Sequence, residues 1–217
     1  MNVMAIYPGF GSSLLGAFLS RGDAIKPQVI IENRDYAVAN LISNMESGQL
    51  PAVPIWDDLA TFNAIPWSKR VDLILANFAH LGLEDIPLDL GSLLVSLGSP
   101  CAIMEFRPDV LASRERFIAF CGGLQSLDFE LSIREISASD LGLQHGRKRL
   151  FMVVTPANKG SHVANPRQQG MERRSGLGKN TQEIKAGQRS RLSGDSDPSM
   201  DRVERLLDKL PVPPHPR

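Results

Sequence analysis

Three acidic residues stand at or just after the ends of apolar runs in this sequence. Glu32 and Asp57 follow short runs near the N-terminus, and Glu105 lies near the end of the run Cys101–Phe106. A carboxylate there can accept hydrogen bonds from ribose hydroxyls or from a base, whereas burial without a partner is costly. Glu32 also has a structural explanation, because acids are favoured in the first turn of a helix. For Asp57, a helix cap and a contact to an adenine amino group are equally consistent with the sequence.

A glycine-containing loop precedes the first of these acids. Gly9 and Gly11 lie in the stretch YPGFGSS, directly after the apolar run Val3–Tyr7. Glycines allow a tight turn and let the backbone approach a ligand closely. Glu32 follows about 20 residues later, the spacing at which an acid binds a ribose in nucleotide-binding folds. The combination favours a nucleoside cofactor, while the absence of GxGxxG and of a P-loop argues against a dinucleotide or a nucleoside triphosphate.

Strands and helices are predicted to alternate along residues 1–156. The predicted strands are Val3–Tyr7, Gln28–Glu32, Val71–Ala76, Cys101–Phe106, Leu150–Thr155 and the more exposed Phe129–Ile136. The predicted helices are Ser12–Ser20, Asp35–Met45, Leu88–Ser96 and Val110–Leu124. This alternation predicts an α/β, Rossmann-like fold with a mostly parallel central sheet and helices on both faces. Ligands bind at the carboxyl ends of such strands, so the acids and the glycine loop should meet at one edge.

Composition excludes several classes of protein. Lys and Arg number 24, as do Asp and Glu, so the net charge gives no argument for nucleic acid. No apolar run approaches the roughly 20 residues needed to span a bilayer, and the N-terminus lacks the features of a secretory signal. We therefore predict a cytoplasmic protein without a membrane partner. The two cysteines and four scattered histidines predict neither a disulfide framework nor a metal site.

The C-terminal part differs in composition from the rest. Residues 157–217 contain no aromatic residue, and residues 157–194 carry eight basic side chains and two acidic ones. We predict a basic, disordered linker or tail over 157–199, which is either simply solvated or attracts phosphates. Residues 200–217 are predicted to form a short amphipathic helix with a Pro-rich end, a candidate surface for a protein partner. The apolar positions of that helix are Val203, Leu206, Leu207 and Leu210.

In order and spacing, six segments of residues 1–156 resemble motifs of the cytosine-5 DNA methyltransferase family. The family's F-x-G-x-G-G loop corresponds to the segment from Tyr7 to Ser12. An acid followed by a helix corresponds to Glu32, and an Asp at a short strand end to Asp57. The P-C-Q loop corresponds to DLILANFAHLGL, the E-N-V motif begins at Glu105, and the Q-x-R-x-R motif contains Arg147 and Arg149.

The resemblance implies a class I methyltransferase domain over residues 1–156 that binds S-adenosylmethionine and DNA. Tyr7, Gly9 and Gly11 would lie beside the cofactor, Glu32 would bind its ribose and Asp57 its adenine amine. Glu105 would hold the target base, with Arg147 and Arg149 anchoring that carboxylate. These roles are those of the family's motifs, carried onto the matching positions.

His80 stands where the family has its nucleophilic cysteine. That thiolate attacks cytosine C6, and an imidazole adduct there would be cationic, so His80 is a poor substitute. Cys101 lies four residues before Glu105, roughly 13 Å away along a strand, and Cys121 falls in the following helix. The family's recognition domain and its later motifs are also without counterparts. The chain therefore resembles a truncated, inactive member, a pseudo-enzyme.

Two alternatives remain open from the sequence. VDLILANFAH also resembles the strand and loop of amino-group methyltransferases acting on adenine N6 or cytosine N4, with Asn77 and His80 at the Asn and aromatic positions. No cysteine is needed there, although Phe78 and Ala79 replace both prolines of that loop. The second alternative is a non-enzymatic interaction protein built on the same fold.

Overall fold

The structure is a computed structural model, and it describes residues 1–21, 24–86 and 89–157. Its seven strands are β1 Asn2–Ile6, β2 Lys26–Ile31, β3 Ile55–Trp56, β4 Leu73–Asn77, β5 Cys101–Phe106, β6 Phe129–Ser137 and β7 Lys148–Pro156. Its four α-helices are α1 Ser12–Arg21, α2 Asp35–Glu46, α3 Leu90–Ser96 and α4 Arg114–Ser126. The predicted strands and helices are all present, with ends that differ by a few residues. The two-residue strand β3 is the addition.

All seven strands form one sheet in the order β3-β2-β1-β4-β5-β7-β6. Strands β1 to β5 run parallel, and β7 is antiparallel to both of its neighbours, β5 and β6. The order reverses at β1, where the chain passes to β2 on one side and β4 on the other. A reversal of this kind leaves a crevice at the carboxyl ends of the central strands, where doubly wound sheets bind ligands.

Helices lie on both faces of the sheet, as predicted. On one face α3 and α4 cover a large core, to which α4 contributes Phe117, Phe120, Cys121 and Leu124. These residues recur at the three- and four-residue spacing that places side chains on one side of a helix. On the other face Leu14 of α1 and Leu41 of α2 pack on β1 and β2 in a smaller core.

The second face is less completely covered over β5 and β7. Ile103 and Val153 are register partners on these two strands, yet they are 36% and 38% exposed. The predicted helices on both faces of the sheet are confirmed, and among the described residues this second face has less cover over β5 and β7 than over β1 and β2. No helix among the described residues is long and apolar enough to cross a membrane.

The predictions for the C-terminal part fall on residues 158–217, which lie outside the described residues. They concern the basic tail over 157–199 and the amphipathic helix over 200–217. Both stay predictions.

Candidate functional site

The carboxyl ends of neighbouring strands bring the predicted site residues to one edge of the sheet. Tyr7, Glu32 and Asp57 directly follow β1, β2 and β3, whose last residues Ile6, Ile31 and Trp56 are aligned in register. On the other side of β1, Asn77 of β4 is paired with Glu105 of β5. Strands are spaced by about 4.8 Å, so the ends of β2 and β5 lie roughly 14 Å apart. The edge has two halves, the first at the ends of β1, β2 and β3 and the second at the ends of β4 and β5 and the start of β7.

Glu32 is the centre of the first half. Its side chain is fully buried, yet it accepts four hydrogen bonds. One comes from the backbone N–H of Gly9 to Oε2 at 2.9 Å, and another from the backbone N–H of Arg34 to Oε1 at 3.2 Å. The Arg34 guanidinium supplies the other two, from Nε to Oε1 and from Nη2 to Oε2, both at 2.8 Å. The carboxylate thus ties the glycine loop to the start of α2.

These contacts determine the ionisation of Glu32. Burial by itself would raise the pKa of the carboxyl, but the hydrogen bonds from Arg34 and Gly9 hold its pKa below the ordinary value. The charged form is therefore stabilised by the fold. At neutral pH the group is an anion paired with a guanidinium.

The depressed pKa of Glu32 predicts a loss of stability in acid. Its contribution is present above the unfolded pKa, near pH 4.3, and is lost as the pH falls through the lower folded value. Glu32→Gln removes this titration, so urea midpoints measured from pH 6 to pH 3 should fall less steeply in the variant. The exposed Glu130→Gln is the control and should follow the wild type. Equal slopes for wild type and Glu32→Gln would contradict the prediction.

Tyr7 and His80 face each other across the reversal point. Their rings meet edge to face, with centroids 5.6 Å apart. Tyr7 has a positive φ of 51°, which is uncommon for a residue with a Cβ and concentrates at functional sites. Burial, followed by the charges of Asp58 and Glu32, raises the pKa of its phenol. Tyr7 is therefore a neutral, buried hydroxyl-bearing ring at this edge.

His80 is also uncharged at neutral pH. Desolvation, followed by the positive charge of Arg34, lowers the pKa of its imidazole below the ordinary value. The loop that carries it is ordered by Asn77, whose Oδ1 accepts from the N–H of Ala79 at 3.0 Å. The charge of Arg34 thus acts on groups of both halves of the edge.

The two glycines of the loop differ in what surrounds them. Both have positive φ, 61° at Gly9 and 83° at Gly11. A Cβ on Gly11 would lie 3.1 Å from Leu50 and 3.3 Å from Leu41, so its small size is needed by the core. A Cβ on Gly9 would have only the Nη2 of Arg34 nearby, at 3.5 Å. Gly9 is thus the glycine whose backbone faces the site.

The two acids after β3 divide the roles that the sequence left open. Asp58 is the helix cap, since its side chain accepts from the N–H of Ala60 at 2.8 Å at the start of the 3-10 turn Leu59–Thr61. Asp57 is exposed at the strand end. The structure thus assigns the cap to Asp58, and the adenine contact of Asp57 stays a prediction.

Glu105 and Arg149 form the second half of the site. They lie 44 residues apart in sequence, on the antiparallel strands β5 and β7. The Nε of Arg149 donates to Oε1 of Glu105 at 2.8 Å, with both side chains about a fifth exposed. Arg147 lies on an exposed stretch before β7 and makes no ion pair with the described residues. The structure thus brings Arg149, and not Arg147, to the carboxylate.

Neither cysteine is near this edge. Cys101 begins β5, at the opposite end from Glu105, where it pairs with Leu73. Cys121 is buried in α4, and burial raises the pKa of its thiol to about 12. No three His, Cys, Asp or Glu side chains of the described residues are grouped to hold a metal ion. The edge therefore offers acids, an imidazole and a phenol, but no thiolate.

No family model matches the chain, and no curated protein matches its sequence. Solved structures do match. The S. pombe Dnmt2 methyltransferase aligns with a TM-score of 0.60 and 17% identity over 81% of this chain and 57% of its own. A mutant of Spodoptera frugiperda DNMT2 aligns with a TM-score of 0.58 and 19% identity, over 73% and 50%. A protein described as a DNA modification methyltransferase, encoded within an E. coli prophage, aligns with 0.58 and 20%, over 72% and 47%.

The fold is that of the class I methyltransferases. The predicted Rossmann-like architecture is thereby confirmed. The chain spans about half the length of the structures it matches. At these identities the likeness concerns the methyltransferase fold, and the chemistry has to be argued from the residues at the edge of the sheet.

Two residues of this edge were missed in the sequence. Arg34, which pairs with Glu32, carried a signal, because residues i and i+2 of an extended chain point to the same side. Arg34 does have extended dihedrals, φ −94° and ψ 117°, just before α2. Asp58 carried no signal beyond its cap position, since its effect on the pKa of Tyr7 depends on the strand order β3-β2-β1 in the sheet.

Proposed function

We propose that the chain is a cytosine-5 DNA methyltransferase-like protein that binds S-adenosylmethionine and does not methylate C5. The observation that supports this proposal is the composition of the edge: Glu32, Asp57 and Glu105 lie at the ends of neighbouring strands, and the residue that the resemblance aligns with the nucleophile is His80. Tyr7, Gly9, Glu32 and Asp57 would hold the cofactor, which supplies an electrophilic methyl group. Its ribose would need the oxygens of Glu32, and these fit in position and charge once Arg34 has released them.

The base-binding half supports DNA as the partner. A carboxylate anchored by a guanidinium keeps a fixed orientation, and Glu105 with Arg149 has that geometry. Such an acid can hydrogen-bond the edge of a base that has left the stack. One matching structure is described as a DNA modification methyltransferase, which agrees with this choice.

Calorimetric titration with S-adenosylmethionine tests the cofactor assignment. Glu32→Gln keeps the side-chain volume but removes the charge, so affinity should fall by about 2 kcal/mol, the scale of a charge-assisted hydrogen bond. Glu130→Gln, on an exposed face of β6, should bind like the wild type. The assignment fails if Glu32→Gln binds as well as the wild type, or if no binding is found either in the wild type or in variants that free Glu32 from Arg34. A chain that binds no cofactor would favour the non-enzymatic interaction protein.

A further inference from the structure

Arg34 occupies the acceptor oxygens that a ribose would use. Its Nε and Nη2 take one oxygen of Glu32 each, in a bidentate pair with both distances at 2.8 Å. Backbone N–H groups of Gly9 and Arg34 already take one further position on each oxygen. A carboxylate has about four acceptor positions in all. Glu32 therefore has little capacity left for a diol while this pair is formed.

The guanidinium also lies against the glycine loop. Its Nη2 is 3.5 Å from the point where a Cβ of Gly9 would be, the open side of the loop. A nucleoside held by the loop and by Glu32 would approach along that same side. The Arg34 guanidinium and a nucleoside would therefore compete for the same space as well as for the same acceptor oxygens.

We propose that Arg34 is a built-in competitor of the ligand, which must leave Glu32 before a nucleoside can bind. This inference rests on the proposed cofactor site and adds a determinant of its affinity. Bidentate guanidinium–carboxylate pairs are among the stronger hydrogen-bonded contacts, so a neutral diol displaces one only at a loss of affinity. The site as folded is closed by its own side chain.

Tyr36 is a second partner of the Arg34 guanidinium. Its phenol oxygen lies 3.3 Å from Nη1 of Arg34, and its ring centroid lies 5.6 Å from the guanidinium carbon. Tyr36 is 55% exposed and packs against Phe10, with ring centroids 5.8 Å apart. These contacts already exist while Arg34 is paired with Glu32, so the guanidinium would keep its partner Tyr36 when it leaves the carboxylate.

Removal of the competitor should tighten binding. In calorimetric titrations at pH 7, Arg34→Gln is expected to bind S-adenosylmethionine and S-adenosylhomocysteine about tenfold more tightly than the wild type. Arg34→Lys, which cannot form the bidentate pair, should lie between them. S-adenosylhomocysteine lacks the sulfonium charge of S-adenosylmethionine. A gain in affinity seen only with S-adenosylmethionine would therefore mean that Arg34 acts by charge repulsion of the sulfonium, and it would overturn the proposal that Arg34 competes for Glu32.

A matched control is available in the same chain. Arg134 is an exposed arginine on β6, to which no role at the edge is assigned. Arg134→Gln removes the same charge and should leave both affinities unchanged. In the Glu32→Gln background the gain from Arg34→Gln should disappear, because the two changes act on one contact.

The outcomes separate this inference from the proposed function. Wild-type binding with equal or weaker binding by folded Arg34→Gln would overturn the competitor and leave the cofactor site standing. Absence of binding in the wild type, Arg34→Gln and Arg34→Lys would overturn both. Thermal unfolding of each variant checks that it is folded, and Arg34→Lys decides the question if Arg34→Gln is not.

Discussion

The purified chain, incubated with labelled S-adenosylmethionine and cytosine-containing DNA, is expected to form no 5-methylcytosine. Attack on cytosine C6 needs a thiolate, and under the proposed function His80 takes the position where that thiolate would be. Cys101 is at the far end of β5, and Cys121 is buried with a pKa raised to about 12. Glu105 and Arg149 can hold a base edge, but holding a base does not activate it.

His80→Cys by itself is expected to leave the chain inactive. The loop around it is shaped by buried Phe78 where the family has proline, so the new thiol would not be oriented as in the active enzymes. Product analysis by mass spectrometry of hydrolysed DNA measures the outcome for both proteins. Any 5-methylcytosine made by the wild type would overturn the proposal. Methylation at adenine N6 or cytosine N4 would instead establish the amino-group alternative.

Phe78→Ala is expected to lower the free energy of unfolding by about 3–5 kcal/mol. Phe78 is fully buried directly after β4, with ring centroids 5.6 Å from Phe106 and 6.3 Å from Tyr7. Its removal would leave a cavity between the large core and the site, because the tightly packed rings around it would collapse only in part. Urea denaturation followed by circular dichroism measures the change.

Phe10→Ala provides the comparison for the buried ring. Phe10 is 59% exposed, so its truncation should change stability by no more than about 0.5 kcal/mol. Equal losses of unfolding free energy in Phe78→Ala and Phe10→Ala would show that Phe78 does not stabilise the core. A selective loss would confirm that the loop at the nucleophile position is held by the core.

The loop after β4 shows how the core and the site share residues. The N–H of Phe78 donates to the carbonyl of Glu105 at 2.8 Å, and the N–H of Leu81 to the carbonyl of Phe78 at 3.0 Å. The loop is therefore tied to β5 through its backbone while its first side chain fills the core. A substitution in this loop, such as Phe78→Pro, would therefore change the packing of the core as well as the groups exposed at the site.

The alternation of strands and helices, the glycine loop and the positions of the two cysteines could all be inferred from the order of residues along the chain. Each depends on periodicity or order along the chain, which local residue types carry. The sequence also placed Glu32 and Glu105 at one edge, because the carboxyl ends of parallel strands meet there. Periodicity could not reveal the two-residue strand β3, because two residues are too few to show an alternation of apolar and polar side chains.

The pairing of the charged groups became clear from the three-dimensional arrangement of the strands. Glu105 could have taken Arg147 or Arg149, and the antiparallel register of β7 beside β5 selects Arg149, 44 residues away. The pairing of Glu32 with Arg34 depends on burial of that carboxylate beside the glycine loop, since a buried charge requires a partner. Sequence order lists the charged residues, whereas distance and desolvation determine which of them interact.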